Sequence, residues 1–350
     1  MAGHRGRRAA GVGSLTAVRV ALLGPIAWRT PPRHYGPWEL ITGLLADGLV
    51  ARGVDVTLFA TLDSQTAAVL DGVCPRGYAE DESRDGRVSE AMHVSHAYRR
   101  SSDFDLVHNH LDWLPLAFCA HCGARLLTTI HGFSDRRILP AYAAARSSFV
   151  SISNADRVPE LDYCATVYHG IDLNVLPFSS AGGDDLVILG RIHPDKGTAE
   201  AIDIARRAGR RLIIAGIVQD HGYFTEQVEP QIDDDQVRYV GSIGPEQRAD
   251  VLGSAAALLH PITFAEPFGL SVVEAMATGT PVIAYPRGSM PEVIDEGVTG
   301  FLVANTAQAA AAVEAASRLD RTGVRRVAER RFSAARTVAD YLAIYGELVR

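Results

Sequence analysis

Short apolar runs alternate with segments of helical spacing along almost the whole chain. Residues 18–24, VRVALLG, form an apolar run closed by glycine, the pattern of a strand buried on both faces. A proline-containing loop follows. Residues 37–53 then carry Leu40, Ile41, Leu44, Leu45 and Leu49 at helical spacing, with Gly53 as the stop, and VDVTLFA (54–60) is the next strand. Further strands are predicted at 105–110, 126–131, 148–153 and 164–169. At 176–185, LPFSSAGGDD, Pro, Ser, Gly and Asp gather into the best linker of the chain. The alternation then restarts, with strands predicted at 186–190, 211–216, 237–241, 256–261, 281–285 and 300–303 and helices between them, for example 197–208 and 246–254. Strands separated by helices imply parallel sheets covered on both faces. The pattern therefore predicts an α/β protein of two tandem, doubly wound domains with a cleft between them, residues 18–178 and 179–331, followed by a helical end at 332–350. Ligands belong at the carboxyl ends of the strands and at the domain interface.

Composition narrows the class. Of 350 residues, 47% are hydrophobic and 21% charged, which suits a globular chain rather than a disordered one. The net charge of −7 carries no electrostatic footprint for nucleic acid. No apolar run approaches the roughly eighteen residues of a membrane span. Residues 1–17 are basic and rich in Gly and Ala without the apolar centre of a secretory signal. They are expected to be a disordered leader, and the protein to be cytoplasmic. The four cysteines are too few for a disulfide framework. Cys119 and Cys122 form a C-x-x-C around His121 but lack a second pair to complete a zinc site, so they are expected to be reduced thiols on a helix.

Several stretches carry candidate chemistry. In LGRIHPDKG (189–197) a predicted strand ends at Gly190, and Arg191 and Lys196 flank a turn before a helix. Two cations beside a helix start form an anion site suited to a diphosphate. A plain turn with a salt bridge to Asp195 is the simpler alternative. In HYGPWEL (34–40), Gly36 meets a helix start with Pro37 at its first position, and glycine lets backbone approach a ligand closely. It is not G-x-G-x-x-G, which argues against a nicotinamide-dependent oxidoreductase. His108, His110, His131 and His169 all fall at strand ends. One such histidine is usually structural, whereas several at successive ends line a cleft; a metal is not expected. The Asp-x-Asp pairs at 103–105 and 233–235 read as solvated turns.

EPFGLSVVE (266–274) puts a glutamate at each end of an apolar stretch. Pro267 is expected to start a helix and Gly279 to end it. The amides of Phe268, Gly269 and Leu270 are then free for a ligand. Glu266 and Glu274 can each accept sugar hydroxyls, and Glu274, set among Val272, Val273, Ala275 and Met276, needs a partner because a buried lone carboxylate is costly.

With these stretches in view, the sequence resembles the family 4 retaining glycosyltransferases of GT-B fold. Glu266 and Glu274 match that family's E-x7-E, GRIHPDKG its diphosphate turn, and TTIHG, SISNADR, YHGIDL, RGSMPEVIDEGVTGFLV and the final helix its other landmarks, from about residue 18 onward. The resemblance implies a nucleotide diphosphate sugar (UDP- or GDP-sugar) in the cleft and a hydroxyl acceptor that is a small molecule, a glycan or a lipid-linked sugar, with no cofactor or metal. It implies that Arg191 and Lys196 neutralise the diphosphate, that Gly36 approaches it, and that Glu266 with the 268–270 amides holds the donor sugar. Glu274 would hold the ribose, waiting poorly satisfied until it does, and His131 would lie near the reacting centre. It also implies that the last helix packs back on the first domain. Here Gly36-Pro37 replaces the Gly-Gly of many relatives, which removes one N–H. A GT-B nucleotide-sugar epimerase or phosphorylase, and a non-catalytic sugar-binding relative, are the alternatives. Glu266→Ala or Lys196→Ala is expected to abolish transfer with little change in melting temperature.

Overall fold

The structure, a computed structural model, describes residues 18–133 and 135–350; the expected leader at 1–17 lies outside them. Seven strands form the first sheet: β1 (Arg19–Leu23), β2 (Asp55–Phe59), β3 (Val69–Asp71), β4 (Leu106–Asn109), β5 (Arg125–Ile130), β6 (Ser148–Ser151) and β7 (Tyr163–Thr166). Their order is β3-β2-β1-β4-β5-β6-β7, and every pairing is parallel. Six strands form the second: β8 (Leu186–Leu189), β9 (Leu212–Ala215), β10 (Val237–Tyr239), β11 (Ala257–His260), β12 (Val282–Ala284) and β13 (Gly300–Leu302), ordered β10-β9-β8-β11-β12-β13 and again all parallel.

Both sheets are doubly wound, and both reverse direction at one place: between β1 and β4 in the first, between β8 and β11 in the second. Crevices open where the strand order reverses. The central strands are buried on both faces; apolar residues fill β1 after Arg19 and begin β4 and β11, whose ends carry the buried polar residues His108, Asn109 and His260.

The helix Ala334–Leu348 crosses back to the first sheet. Its Val338, Tyr341, Ile344 and Tyr345 share a core with Val20, Leu22, Leu45 and Leu49. Thr337 Oγ1 donates to the Tyr168 carbonyl at 2.9 Å, and Ile171 and Ser333 form a parallel bridge, so the chain end links both halves.

Several elements differ from expectation. The stretch 61–104 contains an unforeseen edge strand, β3, and a helix, Gly86–Arg99, capped by Asp85 accepting from Val88 N. Cys119 lies in a single 3-10 turn, Cys119–His121, after the short helix Leu114–Ala117, and Cys122 ends it just before Gly123. The helix expected from Pro267 starts at Leu270, since Gly269 is left-handed (φ +86°) and breaks the run. Both Asp-x-Asp pairs have ordinary protein partners: Asp105 pairs with Arg19 of β1 at 3.0 Å, and Asp233 Oδ1 accepts from the amides of Asp235, Gln236 and Val237.

Candidate active site

Gly36, Arg191, Lys196 and Glu266 follow the carboxyl ends of strands that flank the two reversals, His131 follows β5, and Glu274 lies in the helix Leu270–Thr278. β8 runs out at Leu189 into the turn bearing Arg191 and Lys196; β11 ends at His260 and leads to Glu266. Lys196 Nζ donates to Glu266 Oε2 at 2.7 Å and sits 4.5 Å above the Phe264 ring. Arg191 Nη2 donates to Asp195 Oδ2 at 3.2 Å, and Nη1 reaches the Gln219 side chain. The Asp195 salt bridge foreseen as the simpler alternative is thus present, and it shares the turn with the Lys196–Glu266 pair.

Glu266 is nearly buried. Burial alone would raise its pKa, but the adjacent His260 ring and the Lys196 charge outweigh it and hold the carboxyl down at about 2. His260 Nε2 stands 3.5 Å away, at the long edge of hydrogen bonding. The Ser289 amide donates to the Glu266 carbonyl at 2.9 Å and anchors its backbone. Gly269, left-handed, lets the chain turn into the helix Leu270–Thr278, whose first amides point out of its end. The Phe268 side chain faces the core: its ring meets His169 edge-on at 5.1 Å and also touches Phe332.

Glu274 corrects an expectation. It is 6% exposed and not stranded: Oε1 accepts from Arg248 Nη1 at 2.8 Å. Arg248, on the helix Pro245–Gly253, uses Nη2 to donate to the His34 carbonyl at 3.1 Å. One guanidinium therefore ties Glu274 to the loop before Gly36. Gly36 has φ +147°, and a Cβ there would meet Pro32 Cβ at 2.9 Å and Glu39 Oε2 at 3.0 Å. No other residue fits this turn into the helix Pro37–Val50 without displacing its neighbours.

The first domain supplies an uncharged wall. His131, 7% exposed, stacks on Trp38 with centroids 5.3 Å apart. Its Nε2 meets His110 Nδ1 at 3.0 Å and its Nδ1 meets His169 Nε2 at 3.3 Å. His110 Nε2 continues to His108 Nδ1 at 3.2 Å, and His108 reaches Tyr345 Oη and Thr129 Oγ1 at 2.7 and 2.8 Å. Burial lowers the pKa of all four histidines, His131 to about 3. Each ring is neutral, with one donor and one acceptor, so the ring-to-ring bonds force a common tautomer along the chain. The rings form a file rather than converging on a point. Among the described residues no group of three or more His, Cys, Asp or Glu could hold a metal.

Sequence reasoning passed over three residues of this site. Arg248 is on a separate helix and belongs to none of the motifs that drew attention. Asp156, inside SISNADR, lies against Gly132, whose place for a Cβ is only 2.7 Å from Pro267 Cγ. Burial, and secondarily the Glu266 charge, raise the Asp156 pKa to about 7, and its Oδ2 has no hydrogen-bond partner. Glu39, the third residue of its helix, is buried, accepts from Trp28 N at 3.1 Å, and has its pKa raised by burial to about 7. The third-position acid of a helix was the one signal available for Glu39.

Comparison with known proteins decides the class. The family model described as Glycosyltransferase Family 4 matches residues 40–159, and the one described as Glycosyl transferases group 1 matches residues 179–328. The chain belongs to the family 4 glycosyltransferases. This glycosyltransferase is 28% identical over 382 residues to the D-inositol 3-phosphate glycosyltransferase of Streptomyces scabiei (strain 87.22), covering 86% of this chain and 84% of that one. It is 26% identical over 370 residues to a glycogen synthase of Mycobacterium tuberculosis, covering 89% and 88%. Among solved structures, AviGT4, a glycosyltransferase involved in avilamycin A biosynthesis, superposes with a TM-score of 0.74 at 25% identity, covering 95% of this chain and 98% of that one. Anabaena Alr3699/HepE, solved with UDP and glucose, matches in fold with a TM-score of 0.73 at 18% identity, over 94% of this chain and 100% of that one. The fold of the glycosyltransferase is GT-B. No helix among its described residues is long and apolar enough to cross a membrane.

Proposed function

We propose that this glycosyltransferase moves a sugar from a UDP- or GDP-sugar to a hydroxyl acceptor with retention of anomeric configuration. The observation that carries the proposal is the Lys196–Glu266 pair at 2.7 Å beside Arg191, at the reversal of the second sheet, where Gly132, next to His131, packs against Pro267, next to Glu266. The donor diphosphate takes Arg191 and Lys196 as its cations, and Asp195 and Glu266 give up their hold on them. Charge that builds on the leaving phosphate as the glycosidic bond breaks meets two fixed positive groups. Glu266, released from Lys196, accepts hydroxyl hydrogens of the donor sugar, with the amides of Phe268, Gly269 and Leu270 beside it. Gly36 brings backbone to the diphosphate. Glu274 exchanges Arg248 for the ribose hydroxyls, which also loosens the contact of Arg248 with the His34 carbonyl. His131 faces the reacting centre as a neutral ring. Acceptor attack on the face that the phosphate leaves preserves the configuration, and the departing phosphate takes the acceptor proton, so no separate base is required. The four free cysteines, two of them in a C-x-x-C, support a reducing cytoplasmic setting.

The test is a screen of UDP- and GDP-sugars for thermal shift and nucleotide release, followed by NMR of the product anomer. An α-linked product from an α-linked donor supports the proposal. An inverted product, or no response to any UDP- or GDP-sugar, contradicts it.

A further inference from the structure

The first domain contains a cavity of about 350 Å³ beside the site. All three tryptophans of the 350-residue chain, Trp28, Trp38 and Trp113, line it. So do three carboxylates, Glu39, Glu90 and Asp112, drawn from two helices and a loop. Among the described residues no Arg, Lys or His lines it. We infer that this cavity binds the acceptor and takes an uncharged saccharide or polyol rather than a phosphorylated one. The inference rests on the glycosyl-transfer reading above and adds the acceptor's chemical class.

Tryptophan faces carry negative π potential and cover the polarised C–H faces of a sugar ring. Carboxylate oxygens accept hydrogens from its hydroxyls. The carboxylates are held in place. Glu90 Oε1 accepts from Tyr78 Oη at 2.8 Å, Asp112 accepts from Tyr142 Oη, and Glu39 accepts from Trp28 N. Asp112 adopts a left-handed backbone (φ 48°), uncommon for a non-glycine residue, at the cavity wall. Burial raises the pKa of all three carboxyls, Glu39 to about 7, so a further negative charge beside Glu90 and Asp112 is costly. A phosphate here would meet like charge and no cation.

The cavity also borders the reacting centre. Trp38 lines it on one side and stacks on His131 on the other. Tyr35, likewise in the lining, lies close enough to Arg191 and Glu266 for their charges to act on its phenol. A hydroxyl of a sugar lying on Trp38 would be directed at the cleft.

The experiment uses tryptophan emission, which reports on this cavity because it holds every tryptophan. The full chain is first tested for a thermal shift with UDP and with GDP, then saturated with whichever binds. It is titrated with glucose, maltose and myo-inositol, and with glucose 6-phosphate and myo-inositol 3-phosphate. At least one neutral compound is expected to change the emission, with its phosphorylated counterpart at least about tenfold weaker. Trp113→Ala, at an exposed position, should weaken the neutral ligand about tenfold. The double variant Glu90→Gln/Asp112→Asn should narrow the preference against the phosphorylated one. A nucleotide shift combined with equal or tighter binding of the phosphorylated compounds, or with no response to any neutral compound at tens of millimolar, overturns this inference alone. The absence of any nucleotide shift overturns the glycosyl-transfer reading and this inference with it.

Discussion

The two walls of the cleft handle ionisable side chains in opposite ways. On the second domain every acid at the site is matched to a cation: Asp195 with Arg191, Glu266 with Lys196, Glu274 with Arg248. Glu266 is held ionised, with its pKa near 2. On the first domain the ionisable groups are held towards neutrality. His108, His110, His131 and His169 stay unprotonated, and Glu39 and Asp156 keep a proton up to about pH 7. An ion pair at a cleft is an exchangeable arrangement, since an incoming anion can take over the cation. A neutral hydrogen-bonded wall has nothing to exchange and instead supplies shape and polarity. That contrast fits a ligand with a charged diphosphate end and an uncharged sugar end.

The contrast can be broken from either side. Lys196→Ala should have the largest effect, lowering turnover of the best donor by about 10²–10³-fold in a nucleotide-release assay, the scale of one charge-stabilising group. It should also destabilise. Sequence alone suggested an almost unchanged melting temperature, but the variant leaves Glu266 buried without its cation, which costs about 3 kcal/mol by denaturant titration. Arg248→Ala strands Glu274 in the same way. It should cost about 3–5 kcal/mol, much of which Arg248→Leu combined with Glu274→Leu should restore.

On the neutral wall the effects are smaller. His110→Phe keeps a ring in place but deprives His131 Nε2 and His108 Nδ1 of their shared partner. A loss of about 1–3 kcal/mol is expected, with ¹⁵N imidazole shifts of His131 reporting a changed tautomer balance. Asp156→Asn gives the smallest effect and shows itself through pH. The folded pKa of Asp156 is raised from 3.8 to about 7, so between those values the native state binds the proton more tightly than the unfolded chain. Stability contributed by this group falls as pH rises through that window and is level above it. Asp156→Asn should remove that slope in denaturant titrations from pH 4 to 8. Glu266 has the opposite sign: its contribution is present above 4.5 and is lost as pH falls towards 2.

Much of this was legible in the chain because buried parallel strands are written as unbroken apolar runs. Val20–Leu23, Leu186–Leu189 and Ala257–His260 needed no tertiary knowledge. β3 was missed because it is a three-residue edge strand, half exposed, with no run to read. The helix Gly86–Arg99 was missed because it opens on glycine and mixes Ser, His and Arg with few apolar positions. Of the site, Arg191, Lys196 and Glu266 declared themselves through local motifs. The partner of Glu274 did not, because Arg248 lies 26 residues away on another helix and only the packing of the two helices joins them. The aromatic and acidic cavity was equally hidden, since Trp28, Glu90 and Asp112 come from segments with no common motif.

The charged wall is proposed to hold the nucleotide diphosphate, and the neutral wall is not. Calorimetric titration of UDP and GDP into the unsubstituted protein, Lys196→Ala and Asp156→Asn tests it most directly. Affinity for the preferred nucleotide should fall at least about tenfold in Lys196→Ala and stay within about twofold in Asp156→Asn. Equal losses in both variants, or an unchanged affinity in Lys196→Ala, would contradict it.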